Sequence, residues 1–358
     1  MRLLMMTQAI DLDHPVMGFA HQWVNTLAQH FEHVHVISRL GGRMDMATNV
    51  TVHAYAKPSK KDIPHQRHLF FHKKLAKLIL GNQVDTVFIH MSPKWVTMSF
   101  PYAKLKGLPI ALWYTHSAVN GRLKLADKLV NQVFTASKES YRLNSPHLTV
   151  MGHGIDINQF LPVDAADKIN GRFQIIMPGR LSPAKQPHLL IEAIQQLPRQ
   201  IQNQICCQFL GTAANDEDFD YEKSLHEQVT AQKLSNVIQF LGAVPYENII
   251  PHYQQADLVI NLSKTNSLDK TVLEAMACSV PTLTSNPAFQ PILANIEPRL
   301  ALQHDDLDEL MQKITFWVET PAAQRQQVGT ELRHEIIKHH NLQHLIANLA
   351  KLLKRGRQ

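Results

Sequence analysis

The sequence predicts an α/β protein built of two parallel-sheet domains. Three observations carry this reading. The chain has 358 residues, enough for two domains of ordinary size. Short apolar runs alternate with stretches of helical periodicity, the rhythm of βαβ units. That rhythm stops in a polar, irregular stretch around Pro162 and then starts again.

In the first half, strands are expected over residues 3–7, 34–38, 49–55, 84–90, 110–115 and 133–136. Each is a short apolar run, and the fifth follows the turn signal Gly107-Leu108-Pro109. Apolar residues at helical spacing predict a helix over 18–31 and another near 138–143. In the second half, strands are expected over 173–177, 205–210, 237–240, 258–262 and 282–284, with helices over 188–196, 221–232 and 271–278. The segment 156–171 reads as the linker, and 324–354 is helical by pattern. The expected division is a first domain over 1–165 and a second over 166–335, with a C-terminal helix of about 336–358 packing back on the first. Parallel α/β domains in tandem are expected to face each other across a cleft, where ligands sit beyond the strand ends. No 20–50-residue period recurs, which excludes a solenoid.

Composition narrows the class. Apolar residues make up 44% of the chain, normal for large cores, and no run of 18 apolar residues suggests a membrane span. The opening apolar run meets Asp11 and Asp13, so it reads as a first strand rather than a signal peptide. Cys206, Cys207 and Cys278 fit neither a disulfide framework nor a zinc knuckle, which points to a reducing, cytoplasmic setting. The net charge of +6 is uneven: residues 1–150 carry 18 Lys and Arg against 8 Asp and Glu, the remainder 18 against 22. A basic half suits an anionic surface, and ordinary solvated charge explains it equally well.

The most informative stretch is 263–281, SKTNSLDKTVLEAMACSVP. A polar turn, Asn266-Ser267-Leu268-Asp269, runs into a short helix beginning near Lys270 and Thr271 and carrying one acid, Glu274, on a largely apolar segment. The helix mouth offers free N–H groups to an anion. A carboxylate further along can accept hydrogen bonds from a vicinal diol such as a ribose. Phosphate at the mouth with ribose on the acid suggests a nucleoside diphosphate. The preceding apolar strand puts this turn at a strand's carboxyl end, where open α/β sheets bind ligands.

A second cluster, 177–185 (MPGRLSPAK), follows the first strand of the second half. Gly179 allows close backbone approach, while Arg180 and Lys185 place two cations ahead of a helix. In the first half, Gly18 opens a helix after the first strand, and His116 and His90 end strands. A histidine there can donate to a sugar hydroxyl, although 21 histidines make any one of them a weak signal. Gly152 and Gly154 suit a hinge at the domain junction. The pair Asp11 and Asp13, the run 216–220 read as a solvated loop, and His339, His340 and His344 read as surface histidines give no convincing metal site. The P-loop, the complete dinucleotide fingerprint and the nucleophile elbow are all missing.

Taken together, these segments resemble a GT-B glycosyltransferase of family 4 (glycosyl transferases group 1), most strongly over 179–194, 237–263 and 268–285. The resemblance implies a GT-B fold of two Rossmann-like domains facing across a cleft. It also implies transfer of a hexose from a nucleotide-diphosphate sugar, with retention of configuration, no required metal and no cofactor. The acceptor would be a saccharide or a lipid-linked sugar in cell-surface polysaccharide or glycolipid synthesis. By the same resemblance Arg180 and Lys185 neutralise the donor diphosphate and Glu274 holds the ribose. The stretch 240–244, ending at Val244, seats the base; His116 lies near the reacting sugar, and Gly18 near the phosphates and acceptor. The family's first acid falls on Asn266, and its usual glycines on Ser267 and Asp269. Asn266 can still donate and accept, and Asp269 can share that role.

On the acceptor side, 57–80 interleaves cations with Leu69, Phe70, Phe71, Leu75, Leu78 and Ile79. This pattern suits either a helix on an anionic membrane surface, giving peripheral attachment to the inner face, or a helix packed on the first sheet. Rival readings are a catalytically silent nucleotide-sugar-binding subunit, supported by Asn266, and a GT-B nucleotide-sugar epimerase. A nucleic-acid binder is disfavoured because the basic half holds no recognisable module.

Overall fold

The computed structural model describes residues 1–14, 17–56, 63–116, 118–163 and 171–356. The chain forms two compact units. The first comprises 1–154 with 245–247 and 342–358, the second 155–244 with 248–341. The units therefore part at Gly154 and Ile155, ahead of the break read at 165/166.

The first unit is a seven-stranded parallel sheet. In chain order its elements are β1 (Arg2–Ile10), α1 (Phe19–Ala28), β2 (His33–Gly41), β3 (Val50–Ala56), α2 (Pro64–Leu75), β4 (Thr86–His90), α3 (Pro93–Lys106), β5 (Ile110–Trp113), α4 (Gly121–Leu129), β6 (Gln132–Thr135) and β7 (Leu148–Val150). The strand order is β3-β2-β1-β4-β5-β6-β7. Met5 of β1 pairs with Val36 on one side and Phe88 on the other, so β1 is central. Both faces of β1 are buried, which is why it reads as a near-continuous apolar run rather than an alternating one.

The second unit continues with β8 (Phe173–Pro178), α5 (Pro187–Gln196), α6 (Arg199–Gln204), β9 (Ile205–Leu210), α7 (Asp216–Ala231), β10 (Ile238–Phe240), α8 (Ile249–Gln255), β11 (Leu258–Asn261), α9 (Lys270–Ala277), β12 (Thr282–Thr284), α10 (Gln290–Ile296), α11 (Leu307–Glu319) and α12 (Ala322–His339). Its five parallel strands run β10-β9-β8-β11-β12. The last helix, α13 (Leu342–Arg355), belongs to the first unit. Its stripe of Leu342, Leu345, Ile346, Leu349 and Leu353 recurs every three to four residues and packs into the core formed by Trp23, Val24 and Leu27 of α1.

Several expectations need correction. Residues 138–143 form a turn rather than a helix, tied by the hydroxyls of Ser137 and Ser140 at 3.0 Å. The acids over 216–220 open α7, where they complement the helix N-terminus, and the Asn215 side chain accepts from Asp218 N at 2.9 Å. His340 is buried, 5% exposed, rather than a surface group. His90 is also core: Thr7 Oγ1 lies 3.3 Å from its Nδ1, and the rings of Phe19 and Trp23 pack on it. Asp11 is buried and accepts from the N–H groups of Asp13 and Arg43, so the acid pair closes a loop.

Within 57–80, residues 57–62 lie outside the described residues. Of the six apolar side chains there, Phe71, Leu75, Leu78 and Ile79 are buried in the first unit's core, Phe70 packs partly against it, and Leu69 is exposed. The packed-helix reading accounts for most of this apolar face. Among the described residues no helix is long and apolar enough to cross a membrane.

Candidate functional site

The second sheet reverses direction between β8 and β11: the chain moves outward from β8 to β9 on one side and from β11 to β12 on the other. Such a switch point opens a crevice beyond the carboxyl ends of the two central strands. Apart from Val244, the predicted residues of the second half follow those two ends.

After β8 the backbone turns at Gly179 with φ +135, and Gly179 N donates to Leu210 O at 2.9 Å. This turn is pressed against the end of β9, where Gly211 sits at φ +155. A Cβ on Gly211 would lie 1.9 Å from Gly179 O, so only glycine fits. Arg180 follows with its side chain in solvent. A single 3-10 turn, Pro183–Lys185, then leads through Gln186 at φ +54 to Pro187 at the first turn of α5.

Lys185 reaches across to the loop after β11. Its Nζ lies 2.8 Å from Asp269 Oδ2 and 3.3 Å from Ser263 Oγ. Asp269 Oδ2 also accepts from Asn261 Nδ2 at 2.9 Å, and Thr265 Oγ1 donates to Oδ1 at 3.4 Å. Asn261 in turn accepts from Thr284 Oγ1 at 3.0 Å, so the network is anchored on two strands. Asp269 is the N-cap of α9, yet its side chain makes no capping bond. Its carboxylate is turned to Lys185 and Asn261, which leaves the first turn of α9 without a side-chain cap.

Glu274 lies one turn into α9 and is 4% exposed; Tyr253 Oη donates to its Oε2 at 3.1 Å. Burial pushes the Lys270 ammonium down, and the nearby Glu274 carboxylate opposes that shift. Leu268 is buried beneath the turn, while Asn266, Ser267 and Thr271 are half-buried at its rim. The buried Asn286 holds the turn by donating to Ser267 O at 2.8 Å. The structure thus brings Lys185, Asp269, Lys270 and Glu274 around one helix mouth. Val244 is half-buried in the loop after β10, whose Phe240 stacks on Phe209 at 5.1 Å between ring centroids.

Gly18 and His116 belong to the first unit. Gly18 precedes α1 in helical conformation, φ −52, and an added Cβ would lie 3.2 Å from His14 O. His116 is exposed and its Nδ1 accepts from Ala118 N at 3.0 Å. That bond leaves the ring proton on Nε2, a donor available to a hydroxyl.

Sequence reasoning missed Asn261, Ser263, Thr265 and Tyr253. The first three are the polar residues that interrupt an apolar run where β11 ends, a readable signal. Tyr253 gives no such signal, because its partner lies 21 residues away on another helix. A cavity of about 490 Å³ in the second unit lies at the opposite end of the sheet, beside Arg172, Asp257 and Pro281. It shares none of the predicted residues. Among the described residues no group of three or more His, Cys, Asp or Glu is placed to hold a metal ion.

Residues 164–339, just under half of the chain, match the family model for glycosyl transferases group 1. The lipopolysaccharide core biosynthesis mannosyltransferase LpcC of Rhizobium leguminosarum bv. viciae is 26% identical over 242 residues, 64% of this chain and 67% of LpcC. Mannosylfructose-phosphate synthase of Agrobacterium fabrum is 28% identical over 155 residues, 41% of this chain and 34% of that enzyme. Among solved structures, Anabaena Alr3699/HepE in complex with UDP and glucose superposes with a TM-score of 0.78 at 18% identity, covering 99% of this chain and 100% of that one. Sucrose-phosphate synthase (tll1590) from Thermosynechococcus elongatus gives 0.79 at 14% identity, covering 99% and 98%. The fold is that of the GT-B glycosyltransferases, two Rossmann-like parallel-sheet domains.

Proposed function

We propose that this chain is a retaining glycosyltransferase of family 4. It would move a hexose from a nucleotide-diphosphate sugar to a saccharide or lipid-linked acceptor in cell-surface polysaccharide or glycolipid synthesis, without a metal or other cofactor. The observation that carries this reading is the cluster at the mouth of α9: Lys185 beside a helix start without a side-chain cap, with the buried Glu274 carboxylate one turn further in. Support also comes from the match of 164–339 to glycosyl transferases group 1, from the similarity to the mannosyltransferase LpcC, and from the UDP and glucose complex of the structural neighbour HepE.

The donor's two phosphates would lie over the N–H groups of α9, with Lys185 and Arg180 neutralising the charge that grows as the glycosidic C–O bond breaks. Glu274, oriented by Tyr253, would accept from the ribose hydroxyls. Asn266 and Asp269 would meet hydroxyls of the transferred sugar, and the Nε2–H of His116 would donate to another. The sugar would pass through an oxocarbenium-like state, and a released phosphate oxygen would take the acceptor hydroxyl's proton. Attachment of 57–80 to an anionic membrane face belongs to this proposal, with Leu69, Lys73 and Lys77 exposed among its described residues.

The test is a transfer assay. The chain is incubated with UDP-, GDP- and ADP-sugars, and release of nucleoside diphosphate is followed with and without EDTA. The anomeric configuration of the product is read by NMR. EDTA-insensitive release with the donor's configuration retained is the expected result. Nucleotide binding without turnover would instead favour the silent-subunit reading that Asn266 suggests.

A further inference from the structure

Lys185 Nζ and Ser263 Oγ, 3.3 Å apart, join the loop after β8 to the loop after β11. The next residue of each loop bonds to one and the same carboxylate. Gln186 Nε2 donates to Asp305 Oδ1, and Lys264 Nζ donates to Asp305 Oδ2 at 2.8 Å. Between these contacts, Lys264 N donates to Ala184 O at 3.2 Å. The two loops are thus tied by side chains, by backbone and by an acid that lies 119 residues from Gln186 and 41 from Lys264 in the chain.

The backbone at this junction is left-handed at two residues that are not glycine: φ is +54 at Gln186 and +58 at Asp305. Aspartate visits that region more readily than most residues, because its short side chain bonds locally; glutamine lacks that compensation. A long side chain stays there where its surroundings hold it. Gln186 is buried, and although it is the N-cap of α5 its side chain makes no capping bond; its amide nitrogen donates to Asp305 instead. The chain that carries Asp305 is fixed on both sides. Leu302 N donates to Thr284 O of β12 at 2.9 Å, and Asp306, the N-cap of α11, accepts from Glu309 N at 2.8 Å.

We propose that Asp305 is a positioning residue for Lys185: through Gln186 and Lys264 it holds the two loops so that the lysine ammonium is set at the mouth of α9. The use of a preset lysine for a diphosphate rests on the glycosyltransferase reading, while the clamp stands on its own residues. Lys185 is a long side chain, and ordering it only when the ligand arrives costs affinity. The charge of Asp305 acts in the opposite direction. A carboxylate near a phosphate site repels the ligand, so by charge alone its removal tightens binding. Position and charge therefore predict opposite signs. The Lys264–Asp305 pair is half in solvent, with side chains 49% and 53% exposed, and such pairs contribute little to stability. Weaker binding without Asp305 thus reports lost position rather than lost folding or altered charge.

The full chain is compared with Asp305→Gly, Asp305→Asn and Gln186→Gly. Glycine suits the left-handed backbone at both positions, so these variants remove a side chain without straining the fold. Asparagine removes the charge and keeps an acceptor for Gln186. Titration calorimetry with UDP, GDP and ADP is read beside melting temperature and hydrogen exchange of 183–186 and 263–265. The expected result is nucleotide affinity weakened roughly fivefold in both glycine variants and near parental in Asp305→Asn. Melting temperatures should stay close to the parent's, and both loops should exchange faster in Asp305→Gly. Affinity unchanged or tighter in Asp305→Gly overturns the proposal, as does exchange of the two loops at the parental rate. If the parent binds none of the nucleotides, the glycosyltransferase reading fails, and the exchange result alone decides whether Asp305 holds the loops.

Discussion

Lys185 and Asp269, 84 residues apart in sequence, meet at 2.8 Å over the first turn of α9. The ion pair is mostly out of solvent, with side chains 21% and 14% exposed. The cation best placed for a diphosphate is therefore already shared with a carboxylate, and an incoming donor must compete for it. Asp269→Asn is expected to tighten nucleoside diphosphate binding several-fold, by removing a like charge from beside the phosphates. Lys185→Ala is expected to weaken it by about tenfold or more, because it removes the phosphate's partner and leaves Asp269 facing the anion. Titration calorimetry with UDP, GDP and ADP on the two single variants and the double variant reads both effects and their coupling.

Glu274 and Tyr253 form a buried pair. Glu274→Ala removes the carboxylate that accepts from the buried tyrosine hydroxyl, which should cost about 1–3 kcal/mol of stability in addition to the lost ribose contact. Tyr253→Phe keeps the carboxylate and should cost about 1 kcal/mol, with a smaller loss of nucleotide affinity. Urea denaturation with parallel nucleotide titration separates the two contributions. Equal affinity loss in both variants would mean that Glu274 acts only through its packing.

Gly211→Ala places a methyl 1.9 Å from Gly179 O on a backbone with φ +155. The turn must move, with a destabilisation of about 2–4 kcal/mol and a loss of nucleotide binding, although Gly211 itself holds no ligand. A variant with the parental melting temperature would show that the two strand ends are not in contact.

Acid should weaken the fold through two histidines. Burial pushes His35 down to about 4, with His33, His53 and Arg2 adding to it. Burial also pushes His340 down to about 4, with a smaller contribution from His339. Their ordinary value is 6.5, so between about pH 6.5 and 4 the unfolded chain takes up protons that the folded chain refuses. The stability is fully present above pH 6.5 and is lost as pH falls through that window. Melting temperature against pH should fall less steeply in His35→Gln and in His340→Gln than in the parent.

Much of this was legible in the sequence, and for physical reasons. Strands buried on both faces, such as β1 and β8, stand out as apolar runs, and the helix of Lys270–Ala277 is marked by the polar turn before it. What escaped depends on partners far apart in the chain. The acids at 216–220 read as solvated loop because charge dominates their composition, while Asn215 makes them a helix start. His340 reads as a surface group from its histidine neighbours, and only packing buries it. Gly211 gives no signal alone; its need for a bare Cα comes from Gly179, 32 positions away.

The central claim is that the mouth of α9 holds a nucleoside diphosphate. It is tested most directly by thermal shift of the parent, Arg180→Ala and Glu274→Ala with UDP, GDP and ADP. A ligand at 100 times its Kd stabilises the native protein by about 2.7 kcal/mol, a readable shift. The account predicts stabilisation of the parent by one nucleotide series, reduced or lost in both variants while they remain folded. No shift with any nucleotide at millimolar concentration, or an undiminished shift in both variants, would contradict it.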